Sequence, residues 1–241
     1  MKRGTRILIT MLAALTLLTF KACIDEENDL ISQNCGDSCV TISGLITTND
    51  GTQPLTGVEV TAKWKNIVYL GGGAIRKKAI THTDSFGNYT LSFQVREDEM
   101  EEGYFIFEVL TGKDYFRCNE NEYPSFSAIE LKNDTTINMN LYIPYVGHLN
   151  AGITGLVTAP EPGSIQLTVD PTVKMGPTDC VHVFGWYSSM NDPNWIYKID
   201  VPANQNLIIE TVITKGEVRT KKYDTLYINK GQTVDYTAIY N

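Results

Sequence analysis

The chain is poor in the residues from which most metal sites are built. It contains three histidines among 241 residues, namely His82, His148 and His182. They lie far apart in the sequence, whereas a zinc site needs about four converging ligands, usually with two of them closely spaced. The sequence therefore predicts no bound metal and no cofactor.

Motifs that mark common enzyme classes are also missing. The sequence has no His-x-x-Glu metal motif, no Gly-x-Ser-x-Gly nucleophile elbow and no phosphate loop ending in Lys and Ser or Thr. Carboxylates are plentiful, but their spacing alone does not identify a glycosidase pair. We predict a non-catalytic protein, with an envelope hydrolase that uses an unrecognised carboxylate site as the alternative.

Positive charge is scarce relative to negative charge. The chain has 20 Lys and Arg against 28 Asp and Glu, a net charge of −8. Residues 1–22 hold four basic residues and no acid, so −8 less four positive charges gives −12 for the remainder. Because binding to a phosphate backbone depends on Lys and Arg contacts, we expect no nucleic-acid partner.

The longest apolar run is too short for a permanent membrane span. Residues 7–20 follow Lys2, Arg3 and Arg6, and this run of 14 residues is shorter than the ~18 that a spanning helix requires. A basic start, a short apolar core and a small residue are typical of a secretory signal peptide. The pattern predicts a signal peptide over residues 1–22.

The first cysteine stands at the end of this leader. Residues 18–23 (LTFKAC) resemble a bacterial lipobox, in which the chain is cut before a cysteine that carries a diacylglycerol. Ala22 matches the family's small residue, whereas Phe20 and Lys21 depart from its usual residues. The resemblance implies that Cys23 is lipidated and anchors the protein in the outer membrane, with an ordinary secreted protein as the alternative.

Acidic residues follow this cysteine directly, at Asp25, Glu26, Glu27 and Asp29. Such a run predicts a flexible acidic tether over residues 23–38. Lipoproteins with acids at this place resemble those displayed on the outer face of some Gram-negative outer membranes, so we predict surface exposure. The second acidic run, residues 97–102, is likewise predicted to be an exposed loop.

The rest of the chain has the pattern of an all-β protein. No stretch keeps apolar residues at helical spacing for three turns, whereas residues 58–64 alternate apolar and polar side chains as a half-buried strand does. Turn residues separate many such runs. We predict two tandem β-sandwich domains, Ig-like or transthyretin-like, over residues 39–143 and 144–241, the first able to fold alone.

The first of these units carries two turn motifs. Residues 50–58 contain Asp-Gly and Pro-Leu-Thr-Gly-Val, and residues 83–89 read TDSFGNY. Together with Gly44 they resemble the carboxypeptidase regulatory-like domain, a transthyretin-like sandwich that is not itself a peptidase. In this motif Asp84 can accept bonds from backbone amides two residues on, Gly87 can take positive φ and Tyr89 can pack inside.

Four cysteines remain after Cys23. An oxidising envelope allows such residues to pair. The sequence predicts a disulfide from Cys118 to Cys35 or Cys39, with free buried thiols as the alternative.

One aromatic-rich stretch, residues 184–197, is the candidate binding site. It is predicted to form a single hairpin that turns at residues 191–194 and leaves one aromatic pair on the surface. An exposed ring beside Asn and Asp suits a sugar, since the ring contacts its apolar face and the polar groups contact its hydroxyls. The candidate residues are Trp186, Tyr187, Asn191, Asp192, Trp195 and Tyr197.

Together these features predict a non-catalytic surface lipoprotein that binds or presents a ligand. The expected ligand is a glycan or a protein, in a role accessory to glycan uptake or in adhesion. A purely structural spacer is a further alternative.

Overall fold

The computed structural model describes residues 24–36, 38–67, 72–118, 125–128, 131–154, 163–170, 172–176, 179–180, 184–189 and 195–240. The predicted signal peptide and the predicted lipidation site, Cys23, lie outside these residues. Strands make up most of the described chain, and their buried side chains form two separate hydrophobic cores. The prediction of an all-β protein built from β-sandwich units is confirmed.

In its described residues up to 143, the first unit has ten strands, a short 3₁₀ helix and one short α-helix. The strands are β1 (Ile24–Asn28), β2 (Val40–Thr48), β3 (Gln53–Pro54), β4 (Glu59–Ile67), β5 (Gly73–His82), β6 (Asn88–Phe93), β7 (Tyr104–Leu110), β8 (Ser125–Ala128), β9 (Thr136–Asn138) and β10 (Leu141–Tyr142). The 3₁₀ helix is Leu30–Gln33 and α1 is Glu97–Glu101.

Two sheets face each other across the first core. One has the order β1-β5-β4-β7-β8, and in the other β2 pairs with β3, β6, β9 and β10. Alternation along β4 explains the packing, because Val60, Ala62 and Trp64 are all buried between the sheets. Such alternate side chains supply the apolar area that stabilises a sandwich.

The turn between β5 and β6 has the geometry expected from its sequence. The Asp84 carboxylate accepts hydrogen bonds from the amides of Phe86 and Asn88, both at 2.8 Å. Gly87 has a φ of +80°, and an added Cβ would lie 2.7 Å from the carbonyl oxygen of Ile46. Tyr89 is 3% exposed and donates its hydroxyl to the Met139 carbonyl. These contacts build the fold.

The acidic N-terminal segment is part of the first sandwich and does not form the flexible tether predicted for residues 23–38. β1 pairs in parallel with β5, from Ile24 opposite Gly73 to Asn28 opposite Lys77. Asp29, only 2% exposed, then turns into the 3₁₀ helix. Its carboxylate has a buried cationic partner, which a sequence pattern does not reveal.

That partner is Lys78, which is fully buried at the centre of an ion network. Its Nζ lies 2.5 Å from an Asp29 oxygen and 2.9 Å from an oxygen of Glu99. Arg76 and Arg96 extend the network, since Arg96 contacts the other Asp29 oxygen at 2.6 Å and Arg76 contacts Glu99 at 3.2 Å. The prediction of an exposed loop over residues 97–102 is right about exposure except at Glu99, which is buried, and wrong about the loop, because α1 folds there.

The first core also receives side chains from beyond residue 143. Val173, Met175 and Cys180 belong to its buried cluster, and a two-stranded ribbon of β13 (Val173–Lys174) and β14 (Asp179–Cys180) carries them. The structure thus extends this unit beyond 39–143 at both ends.

The disulfide pairing differs from the prediction. Cys35 bonds to Cys39, and Cys118 bonds to Cys180. The expected bridge from Cys118 to Cys35 or Cys39 is wrong, because the ribbon from the second half of the chain reaches Cys118 instead.

The second unit is a sandwich of two sheets. One has the order β16-β11-β19 and the other β15-β12-β17-β18. Its strands are β11 (Val146–Thr154), β12 (Gly163–Asp170), β15 (Phe184–Ser189), β16 (Trp195–Pro202), β17 (Gln205–Lys215), β18 (Val218–Ile228) and β19 (Thr233–Ile239). Leu149 of β11, Leu167 of β12 and Leu207 of β17 are fully buried between the sheets. Within the described residues, no helix is long and apolar enough to cross a membrane.

The two sandwiches meet around Tyr145. Its ring stacks on Tyr115, with 5.1 Å between the centroids, and the Lys230 ammonium lies 3.7 Å from the Tyr145 ring centroid. The backbone at residues 144 and 145 is held from both units. The Ala203 amide donates a hydrogen bond to the Tyr145 carbonyl, and the Phe116 amide donates one to the Pro144 carbonyl. The Cys118–Cys180 disulfide adds a covalent link, because Cys180 packs on the first core but lies in the chain between β12 and β15 of the second unit.

Candidate binding surface

The predicted aromatic hairpin is not formed. β15 pairs with β12, whereas β16 pairs with β11, so the two strands belong to opposite sheets of the second sandwich. The prediction of one hairpin over residues 184–197 is wrong, because strand pairing in this unit is set by partners distant in sequence.

The candidate residues from the sequence are consequently divided between the two sheets. Trp186 and Tyr187 pair with Leu167 and Gln166 on β12. On the other sheet, Trp195 pairs with Ile153 of β11. Asn191 and Asp192 lie outside the described residues.

The last of these residues, Tyr197, lies on β16 and is 50% exposed. It has the same parity as Ile199 and Val201, which pack on the second core, so it occupies the core-facing side near the open end of the strand. Tyr197 and the residues of β15 therefore do not form one binding surface.

A different surface of this unit collects exposed aromatic side chains. On β17 and β18, alternate residues face away from the core, since Leu207 and Ile209 between them are fully buried. We call this surface the tyrosine face. It consists of Asn206, Ile208, Glu210, Lys221, Tyr223, Thr225 and Tyr227.

The register brings its apolar members together. Ile208 lies directly opposite Thr225, which places it diagonally between Tyr223 and Tyr227. The side chains of Ile208, Tyr223 and Tyr227 are 53%, 60% and 51% exposed. The two tyrosines are four residues apart on one strand, roughly 13 Å. With Ile208 they present a narrow apolar strip along the outer face of β17 and β18.

Polar groups border this strip. Lys221 and Glu210 form an ion pair with 2.6 Å between Nζ and the carboxylate oxygen. The hydrogen bond to Glu210 and the charge of that carboxylate raise the pKa of Lys221 above its ordinary value. Because both groups remain in contact with water, the pair adds little stability and leaves donors and acceptors available.

The core-facing side of β18 holds a second polar group. The Asp224 carboxylate accepts a hydrogen bond from Lys222 at 2.8 Å and from the Tyr236 hydroxyl at 2.6 Å. These two hydrogen bonds lower the pKa of Asp224. Burial, followed by the bond to Asp224, raises the pKa of Tyr236. The hydrogen bond between Asp224 and Tyr236 connects β18 in one sheet to β19 in the other.

The tyrosine face can do chemically what was expected of residues 184–197. Exposed rings offer flat apolar contact area, and the flanking amide, carboxylate and ammonium groups offer hydrogen bonds. A usable signal was present in the sequence, since residues 218–228 combine two tyrosines on one strand face with three basic residues.

Comparisons with known proteins give no family assignment. No family model matches the chain, and no curated protein matches it significantly. The resemblance to the carboxypeptidase regulatory-like domain is therefore not confirmed.

Solved structures resemble the chain only remotely. The shaft pilin SpaA of Lactobacillus rhamnosus GG is 10% identical, with 85% of this chain and 98% of that chain covered and a TM-score of 0.28. The major pilin subunit BcpA of Bacillus cereus is 9% identical, with 79% and 69% covered and a TM-score of 0.27. A Streptococcal ancillary pilin is 9% identical, with 83% and 62% covered and a TM-score of 0.29. At these scores the likeness carries no argument about function.

Proposed function

We propose that the protein is a non-catalytic, lipid-anchored cell-surface module that binds a ligand through the tyrosine face. The observation that carries the proposal is the strip of Ile208, Tyr223 and Tyr227, in which three large side chains on one sheet face are each more than half exposed. Exposed apolar patches bordered by polar residues mark binding sites on soluble domains.

A carbohydrate is the ligand that this surface fits best. Sugar rings stack on aromatic side chains, while their hydroxyls need donors and acceptors at the edge of the contact. Asn206, Glu210 and Lys221 supply these groups beside the two rings. The spacing of the two tyrosines along one strand suits a ligand that lies along the surface, such as an extended glycan chain.

The anchoring part of the proposal rests on Cys23 and the leader before it. Metabolic labelling with an alkyne fatty acid should mark the wild-type protein and leave a Cys23→Ala variant unmarked. Equal labelling of the two proteins would contradict the anchor. Protease added to intact cells should remove the wild-type protein if it is displayed on the outer face of the outer membrane.

The binding part is tested with a printed array of glycans and extracellular proteins. The Tyr223→Ser/Tyr227→Ser double variant should lose the signal that the wild type gives. Tyr104→Ser is the matched control, because Tyr104 is a 44% exposed tyrosine on the first sandwich. A wild-type protein that binds nothing would contradict the proposal and favour the structural spacer, and selective binding to proteins would replace the carbohydrate by a protein ligand.

A further inference from the structure

The edge of the four-stranded sheet carries this inference, which is independent of the proposed function. β18 is the last strand in the order β15-β12-β17-β18, so one side of its backbone has no partner strand within the described residues. It is eleven residues long, pairs with β17 along its whole length and contains no proline. A long regular edge of this kind offers a template for another strand.

Edge strands are commonly protected by lysine and other charges, and β18 contains Arg219, Lys221 and Lys222. Such charges oppose pairing with a second strand when like charges lie opposite one another. Here an acid, Asp224, stands two residues from Lys222 on the same face, forms an ion pair with it at 2.8 Å and keeps its side chain 31% exposed, so both charges remain open to a second copy. This combination allows the strand to complement itself.

We propose that β18 pairs antiparallel with β18 of a second copy of the chain, centred on Tyr223. In this register residue 222 lies opposite residue 224 of the partner copy, and each strand end lies opposite the other end. Two symmetry-related pairs of Lys222 with the partner's Asp224 then form. On the outer face Arg219 lies opposite the partner's Tyr227, which suits a cation over an aromatic ring.

Charge selects this register from its neighbours. In an antiparallel pair, opposite side chains point to the same face of the sheet. A different register that keeps both sandwiches on one side of the sheet must preserve this alternation, so the nearest alternatives move the centre of the pairing from residue 223 to residue 222 or 224. One such shift places Lys222 opposite the partner's Lys222, and the opposite shift places Asp224 opposite the partner's Asp224. Like charges directly opposite one another are destabilising. Only the register centred on Tyr223 pairs unlike charges.

The resulting assembly is a closed dimer, because an antiparallel pair of identical strands has two-fold symmetry. The two four-stranded sheets become one continuous sheet of eight strands. The eleven-residue ladder adds roughly ten backbone hydrogen bonds between the copies. Both tyrosine faces lie on the same side of this sheet, so the dimer doubles that surface.

Cysteine crosslinking in the full-length chain tests the register directly. In the proposed dimer, residue 223 lies opposite itself, with the two Cα atoms about 4.5–5.5 Å apart, which a disulfide can bridge. Residue 225 on the same face lies about 13 Å from its own copy, too far for a disulfide. Tyr223→Cys should therefore give a reducible dimer on non-reducing gels, and the matched control Thr225→Cys should not.

A charge reversal provides a second test of the register. In the Tyr223→Cys background, Lys222→Asp should reduce the dimer at least tenfold, and adding Asp224→Lys should restore it. Monomeric Tyr223→Cys, equal crosslinking of Thr225→Cys, or crosslinking indifferent to Lys222→Asp would overturn the proposal. Ligand binding by the Tyr223→Ser/Tyr227→Ser variant is a separate readout, so failure of one proposal is distinguishable from failure of the other.

Discussion

Lys78 and Asp29 form an ion pair that is almost completely shielded from water, with 2.5 Å between Nζ and the carboxylate and side-chain exposures of 0% and 2%. The two residues are 49 positions apart, and the pair holds the N-terminal segment onto β5. Glu99 of α1 binds the same ammonium. Since a buried charge is tolerated only when it is paired, the first sandwich depends on Asp29 from the N-terminal segment and on Glu99 from α1.

Removal of the Asp29 carboxylate should strongly destabilise the protein. Asp29→Ala leaves Lys78 with Glu99 as its remaining buried anion, and breaking a buried pair in this way costs about 3–5 kcal/mol. Chemical denaturation at neutral pH measures the change. Asp25→Ala on the exposed side of β1 is the matched control and should change the free energy of unfolding by less than ~0.5 kcal/mol. Equal effects of the two substitutions would show that the segment is a free tether.

Acid should weaken the buried ion pair between Asp29 and Lys78. Burial raises the pKa of Asp29, but hydrogen bonds from Lys78 and Arg96 outweigh burial and bring the pKa below the ordinary value of 3.8. A carboxyl whose pKa is lower in the folded state stabilises above its unfolded pKa, and this contribution disappears as the pH falls through the folded value. We expect the free energy of unfolding to fall from about pH 5 to pH 2, and less steeply in Asp29→Asn. Identical slopes would contradict this role for Asp29.

A fragment of residues 39–143, which the sequence alone led us to expect to fold by itself, should fail to do so in view of the structure. It lacks the Asp29 partner of Lys78, and it lacks Val173 and Met175, which complete the first core. It also leaves Cys118 without its disulfide partner. Proton–nitrogen NMR should show collapsed peaks for the fragment and dispersed peaks for residues 24–241. A well-dispersed spectrum of the fragment would show that these contacts are dispensable.

The two disulfides should differ in their contributions to stability. The Cys118–Cys180 bridge closes a loop with a sequence separation of 62, and the Cys35–Cys39 bridge one of 4. In the loop-entropy model these correspond to about 4 and 2 kcal/mol. Double replacement by serine avoids free thiols, and we expect Cys118→Ser/Cys180→Ser to lower the melting temperature more than Cys35→Ser/Cys39→Ser. The reverse order would contradict a role for the long bridge in joining the two units.

Local sequence was sufficient to predict several strands and one turn of the first sandwich, but not β1, which was expected to be a tether. The alternation of Val60, Ala62 and Trp64 identified a strand with one buried face, and the structure has it. Asp84 and Gly87 predicted the turn before β6, because the bonds of a turn are made within a few residues. Features of this kind depend on neighbours in the sequence, so they can be recognised without the fold.

Long-range pairing could not be predicted in the same way. Acidic runs usually remain in water, so Asp29 and Glu99 gave no sign that each would find buried Lys78 from a different part of the chain. The aromatic residues at 184–197 suggested a hairpin, but β15 and β16 found partners in opposite sheets. The tyrosine face also depends on the pairing of β17 with β18, which brings Ile208 between two tyrosines.

The affinity of the strongest ligand from the printed array, measured for three proteins side by side, tests the proposed function most directly. Compared with the wild type, Tyr223→Ser/Tyr227→Ser should bind at least ~10-fold more weakly, a loss of about 1.4 kcal/mol, while its melting temperature stays unchanged. Trp195→Ala, from the stretch first identified in the sequence, should retain specific recognition of that ligand. Loss of binding in Trp195→Ala at an unchanged melting temperature, with full binding by the tyrosine variant, would contradict the account and move the site to residues 184–197.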